Sequence, residues 1–160
     1  MKTTYSKFPA ENKIIVTREF AASPESTWQA WTDEKLLVRW WAPKPWKAET
    51  AKMEFREGGF WLYCMVGPDG SRHWARMDFK KIDSLKYFTA KDSFCDENGT
   101  VITDPPGMDW KVEFTKTDTG TKVQVELLFD SEKNLNTILE MGFEEGFSSA
   151  HNNLDELLSK

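Results

Sequence analysis

Cysteine is scarce in this chain, and its scarcity excludes two chemistries at once. Cys64 and Cys95 are the only two, too few for a disulfide framework and not spaced as a metal knuckle. Histidine is as rare, with His73 and His151 standing alone. No apolar run approaches the ~18 residues of a membrane span. The opening "MKTTYSKFPAENK" carries no apolar stretch of the signal-peptide kind. These absences predict a reduced, cytosolic protein with no membrane partner. Blocks of basic residues are missing too. With a net charge of -5, nucleic acid is not expected as a partner, because neutralising phosphates needs a basic face. No H-E-x-x-H, P-loop, G-x-S-x-G or C-x-x-C occurs, so the commonest metal, nucleotide and nucleophile signatures are absent. Neither a metal nor a cofactor is expected.

What the chain has in abundance is aromatic surface. Of 160 residues, 14% are aromatic, with eight Trp and eleven Phe. That length fits a single domain over residues 1–160, with its core at about 12–158. A domain of this size buries roughly 70% of its unfolded surface and needs no staples. Large flat side chains line cavities as well as filling cores. Their densest run is "RWWAPKPW" at 39–46, where two prolines forbid regular structure to three tryptophans.

Periodicity orders the rest. "KIIVTREF" (13–20) alternates as a strand, and Ser23-Pro24 then supplies an N-cap and a first-turn proline. Trp28 and Trp31 share one face of the short helix that follows. A second short helix, "EKLLVRWW", is expected to end near Ala42, before Pro43. Six strand signals come next, in "KAETAKMEF", "FWLYCMV", "RHWARMDFKKI", "KYFTAKDSF", "MDWKVEFTK" and "KVQVELLF". Short turns between them predict antiparallel neighbours. From Ser131 to Leu158 the spacing predicts one long helix, with Leu135, Leu139, Gly142, Gly146, Ala150 and Leu157 on one face. Two mid-helix glycines, each costing ~1 kcal/mol against alanine, imply close packing or room for a ligand. The expected fold is α+β: an antiparallel sheet of about seven strands curled round a long C-terminal helix, with two short helices after strand 1.

At this point the sequence resembles a known family. "TREFAASPESTWQAWTDEKLLVRWWAP", then Arg56-Glu57-Gly58-Gly59, "GPDG", and Gly146-Phe147 with Leu154 and Leu157 follow, in order, the signature of the proteins related to the activator of heat-shock protein 90 ATPase. That AHSA-type family belongs to the START-like (SRPBCC, helix-grip) superfamily. Thr27, Glu34, Ala42, Ala75 and His151 depart from its usual Val, Pro, Gly, Gly and Leu, changes that bear on cavity shape and polarity. The resemblance implies a helix-grip domain whose cavity takes small, mostly apolar molecules. The family name offers a second reading, a module acting on a chaperone partner, the heat-shock protein 90 ATPase.

Several residues are candidates for a ligand cavity. Trp40, Trp41 and Trp46 are expected near its mouth, and being adjacent, Trp40 and Trp41 should not both point inward along one helical face. Trp61, Tyr63, Met65, Trp74, Met77, Phe94, Met108, Trp110, Phe143 and Phe147 form an aromatic and thioether set for core and cavity walls. Alternation puts Arg76 with Trp74, and Asp92 with Ala90 and Phe94; either face could point inward and orient a small apolar or aromatic molecule, or be solvated. His151, on the last helix, is a candidate general base as well as an ordinary helix residue. A third reading is therefore a cyclase- or hydrolase-type enzyme using His151, Arg76 or Asp92.

Overall fold

The computed structural model describes residues 2–159. Eight strands form one antiparallel sheet: β1 (Thr4–Phe8), β2 (Lys13–Phe20), β3 (Lys47–Met53), β4 (Phe60–Val66), β5 (Arg72–Asp83), β6 (Tyr87–Phe94), β7 (Met108–Lys116) and β8 (Thr121–Leu128). Their order across the sheet is β1-β2-β8-β7-β6-β5-β4-β3. Six consecutive strands therefore meander from β3 to β8, and β2 closes on β8 over eight register pairs. Helices α1 (Pro24–Thr32) and α2 (Glu34–Leu37) lie between β2 and β3, while α3 (Glu132–Glu140) and α4 (Phe143–Leu158) end the chain. Among the described residues, no helix is long and apolar enough to cross a membrane.

Local chemistry starts these helices where the sequence suggests. The Ser23 hydroxyl accepts the Ser26 N–H, with Pro24 in the first turn. Asp33 Oδ1 accepts the N–H groups of Lys35 and Leu36, and Ser131 caps α3 by accepting from Asn134. The strands alternate buried and exposed positions, and Ile14, Val16, Val112, Val123, Val125 and Leu127 are fully buried on one face. Helices cover that face. Each such side chain withdrawn from water contributes roughly 1.5–3 kcal/mol.

Three expectations need correction. The sheet has eight strands rather than about seven, because the N-terminal segment 4–8 adds an edge strand. Its exposed, polar character gives no alternation to read. What fixes it is tertiary: Tyr5 pairs with Val16, and its hydroxyl donates to Glu144 O at 2.8 Å. The last segment is two helices, not one. Gly142 adopts φ +88°, a left-handed conformation that caps α4 and turns it away from α3. Finally, α2 stops at Leu37, and residues 38–42 form turns. That difference frees Trp40 and Trp41 from the geometry of a helical face.

Candidate functional site

The tryptophan-rich turn is held against α4. Asn153 donates to the carbonyl oxygens of Ala42 at 3.0 Å and Trp40 at 3.4 Å. Trp40 is wholly buried, its Nε1 donating to Ala30 O at 2.9 Å. Trp41 points elsewhere, toward a cavity of about 260 Å3 between the sheet and the C-terminal helices. This is close to the lower end of the roughly 300–1,000 Å3 usual for small-molecule sites. Both neighbouring indoles are thus buried, one in the core and one at the cavity.

The floor of the cavity comes from the inner sheet face. Register pairs Met65 with His73, Tyr63 with Ala75, Ala75 with Phe94 and Asp92 with Met108, so these side chains share one face. Trp110, next inward on β7, lies beside them. The roof comes from Ile138 of α3 and from Phe143, Gly146, Phe147 and Ala150 of α4. Pro43, Pro106, Gly107, Met141 and Gly142 complete the lining, with Met141 exposed. Rings meet mostly edge to face: Trp41 is 6.2 Å from Tyr63, and Trp110 stands perpendicular to Phe147 at 5.5 Å.

One carboxyl interrupts these apolar walls. Burial pushes the Asp92 carboxyl up to about 7. Lys91, the Ser93 N–H, Trp110 and Tyr63 oppose that rise more weakly. Even so, Asp92 Oδ1 and Trp110 Nε1 are both buried without a hydrogen-bond partner. Burial and the Asp92 charge together raise the Tyr63 phenol, keeping it neutral. The site therefore offers one acceptor and one donor that are buried and unsatisfied.

Of the remaining candidates, all but Trp74 lie outside the lining. Arg76 is on the opposite sheet face, where it grips Asp78 through Nε at 3.0 Å and Nη2 at 2.6 Å and donates to Gly99 O at 2.8 Å. The alternation was readable; which side was inner depended on where the helices dock. Trp74 borders the cavity, with Arg72 over its ring at 5.9 Å. Trp61 is fully buried, stacked on Tyr63 at 4.0 Å with Nε1 donating to Thr50 Oγ1. Met77 is a core residue beside Asp92, its register partner on β5. Trp46 packs on His73 at 5.3 Å, just outside the cavity.

His151 is wholly buried beside rather than in the cavity, 4.2 Å from the Phe147 ring. Its Nδ1 bonds Thr3 Oγ1 at 3.0 Å, and Nε2 has no partner. Burial, reinforced by the nearby Arg18 charge, lowers its pKa to about 3. Arg18 in turn donates to Asn152 at 2.8 Å and pairs with Asp155 at 3.3 Å.

Sequence reasoning missed Ser93, Pro106, Gly107 and Ile138 in the lining, and Asn153 as the tie behind it. The polar loop before β7 and a mid-helix asparagine carry no local signal for those positions. Among the described residues, no group of three His, Cys, Asp or Glu side chains could hold a metal ion.

This architecture is shared with known structures. A crystal structure of a Mycobacterium smegmatis protein matches at 32% identity and a TM-score of 0.91, covering 99% of this chain and 97% of that one. A solution structure from Arthrobacter aurescens matches at 29% identity and 0.92, covering 98% and 91% respectively. A more distant likeness, to CalU16 from Micromonospora echinospora at 19% identity and 0.62, covers 98% and 83% and concerns the fold alone. Among functionally curated protein sequences, none matches this chain significantly. The family model described as activator of Hsp90 ATPase homolog 1-like protein matches residues 21–159, from the turn before α1 to the end of α4. By that match, and by a helix-grip fold common to its structural neighbours, the chain belongs to the family of activator of Hsp90 ATPase homolog 1-like proteins.

Proposed function

We propose that this protein binds a small, mostly apolar molecule in the space between its sheet and C-terminal helices. The observation that carries this reading is the pair of unsatisfied buried polar atoms, Asp92 Oδ1 and Trp110 Nε1, set in aromatic walls. Buried polar groups are ordinarily paired; a ligand bearing complementary groups supplies the missing partners. An apolar pocket with a few polar groups that orient its occupant is the usual design of a small-molecule site.

The reading is tested by native mass spectrometry of the protein purified from its own host, followed by thermal-shift screening of lipids, flavonoids and polyketides. A specific ligand at about 100 times its Kd should stabilise the fold by about 2.7 kcal/mol. Gly146→Phe puts a ring into the cavity at a position where an added Cβ meets only Pro43 Cγ, at 3.9 Å. The variant should keep its fold and lose the ligand-induced shift. A ligand that stabilises Gly146→Phe as strongly as the wild type would place binding elsewhere and reject the reading.

A further inference from the structure

The charges around Asp92 say which kind of molecule the cavity suits, an inference that rests on the ligand-binding reading above. Tyr63 of β4 approaches the carboxyl as a neutral phenol. From β5, His73 lines the cavity on the inner face, while Arg76 stands on the outer face and is engaged by Asp78 and Gly99. Within β6, Lys91 alternates to the outer side opposite Asp78, and just past its end Cys95 bridges to Val101. From β7 the neighbours are Met108 and Trp110; from α3 and α4 they are apolar, chiefly Ile138, Phe143 and Phe147. Among the described residues no Lys or Arg lines the cavity. The carboxyl thus has aromatic company and no cation in the cavity, since Arg18, buried further along the same sheet face, is engaged by Asn152 and Asp155.

Ring faces attract cations through their quadrupoles, and most strongly in a dry site. Trp41 lies 5.7 Å from Trp110 and 6.2 Å from Tyr63 between centroids, so three electron-rich rings converge where the carboxyl sits. An anion would be repelled there. A neutral ligand would leave the carboxylate uncompensated, and an unpaired buried charge is costly. We propose that the cavity selects an organic cation, an ammonium group on an apolar body, lodged against the Asp92 carboxylate among Trp41, Tyr63 and Trp110.

Binding such a cation requires Asp92 ionised, and Asp92 titrates at about 7. Affinity should therefore fall with acidity, about tenfold for each pH unit below that value.

The test uses benzyltrimethylammonium and its uncharged isostere neopentylbenzene, each titrated into the full chain while the indole N–H signals of Trp41 and Trp110 are followed by NMR. The cation should bind at least about tenfold more tightly above pH 7 than one unit below it. Asp92→Asn should lose that preference, and the isostere should respond to neither change. His73→Asn is carried through the same pH series, because His73 also lines the cavity. The cation proposal is overturned if the isostere binds the wild type as tightly as the cation does. It is equally overturned if Asp92→Asn binds the cation unchanged, or if the pH dependence disappears in His73→Asn. In each of those cases the cavity reading survives. If neither probe moves the indole signals, the cation proposal is rejected, and the cavity reading stands or falls on the thermal-shift screen. The comparison of cation with isostere uses only wild-type protein, so a poorly folding variant does not protect the proposal.

Discussion

Side by side in the chain, Trp40 and Trp41 do different work because a turn, not a helix, carries them. Trp40 is a core residue whose N–H is bonded to Ala30 O. Trp40→Phe would remove that donor and leave Ala30 O without its indole partner. A loss of about 1–3 kcal/mol is expected, read from urea midpoints at constant m. Trp41→Phe removes cavity lining instead and should weaken ligand binding more than it lowers stability. Behind both stands Asn153, which bonds the carbonyls of Trp40 and Ala42. Replacing it with Leu should cost about 2 kcal/mol and broaden the Trp41 indole signal as the turn loosens. Arg76 provides the contrast. Its partners lie on the outer face, so Arg76→Ala should leave ligand affinity unchanged and alter stability by no more than about 1 kcal/mol.

At the scale of elements, the two glycines of the last segment have opposite roles. Gly142 has φ +88° with open space around its Cα, so its side chain is excluded by backbone conformation rather than by crowding. Gly142→Ala should destabilise the protein by about 1 kcal/mol, as expected where an L-residue is forced to positive φ. Gly146 is helical, and an added Cβ meets only Pro43 Cγ at 3.9 Å. Gly146→Ala should therefore stabilise by about 0.5–1 kcal/mol while narrowing the cavity. Thermal unfolding of both variants checks the pair, and opposite signs are the expected outcome. Residue 142 marks a helix boundary, while residue 146 keeps space open.

For the whole molecule, two buried groups set opposing responses to pH. His151 titrates at about 3 when folded against 6.5 ordinarily. Between those values the unfolded chain binds its proton and the folded one does not, so this group makes stability fall as pH falls. Asp92 is the reverse, titrating at about 7 when folded against 3.8 ordinarily. Here the folded state holds the proton, and stability falls as pH rises from about 4 to 7. The two slopes oppose each other across roughly pH 4–6.5. Asp92→Asn should raise stability near neutrality, by up to about 4 kcal/mol, and should steepen the loss toward acid. His151→Leu should instead lessen the loss toward acid, leaving the Asp92 contribution, which favours the folded state as pH falls from about 7 to 4. Difference curves of denaturant midpoint against pH, variant minus wild type, separate the two.

The sequence by itself determined the α+β class, the antiparallel meander from β3 to β8, the capped helix starts and the family, because each is written in local patterns. Alternation in "MDWKVEFTK" and "KVQVELLF" needs no distant contact to be read, and Ser23-Pro24 or Ser131 act within one turn. It also paired Arg76 with Trp74 and Asp92 with Phe94 correctly as faces. Only the tertiary structure decided which face was inner, since docking of α1, α3 and α4 chooses the side and nothing in a strand's own residues does. The same holds for β1, a polar edge strand anchored by Tyr5 on α4, and for Asn153, whose partners lie more than a hundred residues away. Of "RWWAPKPW", composition announced that the tryptophans mattered. Packing assigned Trp40 to the core, Trp41 to the cavity and Trp46 to His73 outside it, because long-range contacts, not sequence neighbours, fix where a buried ring can go.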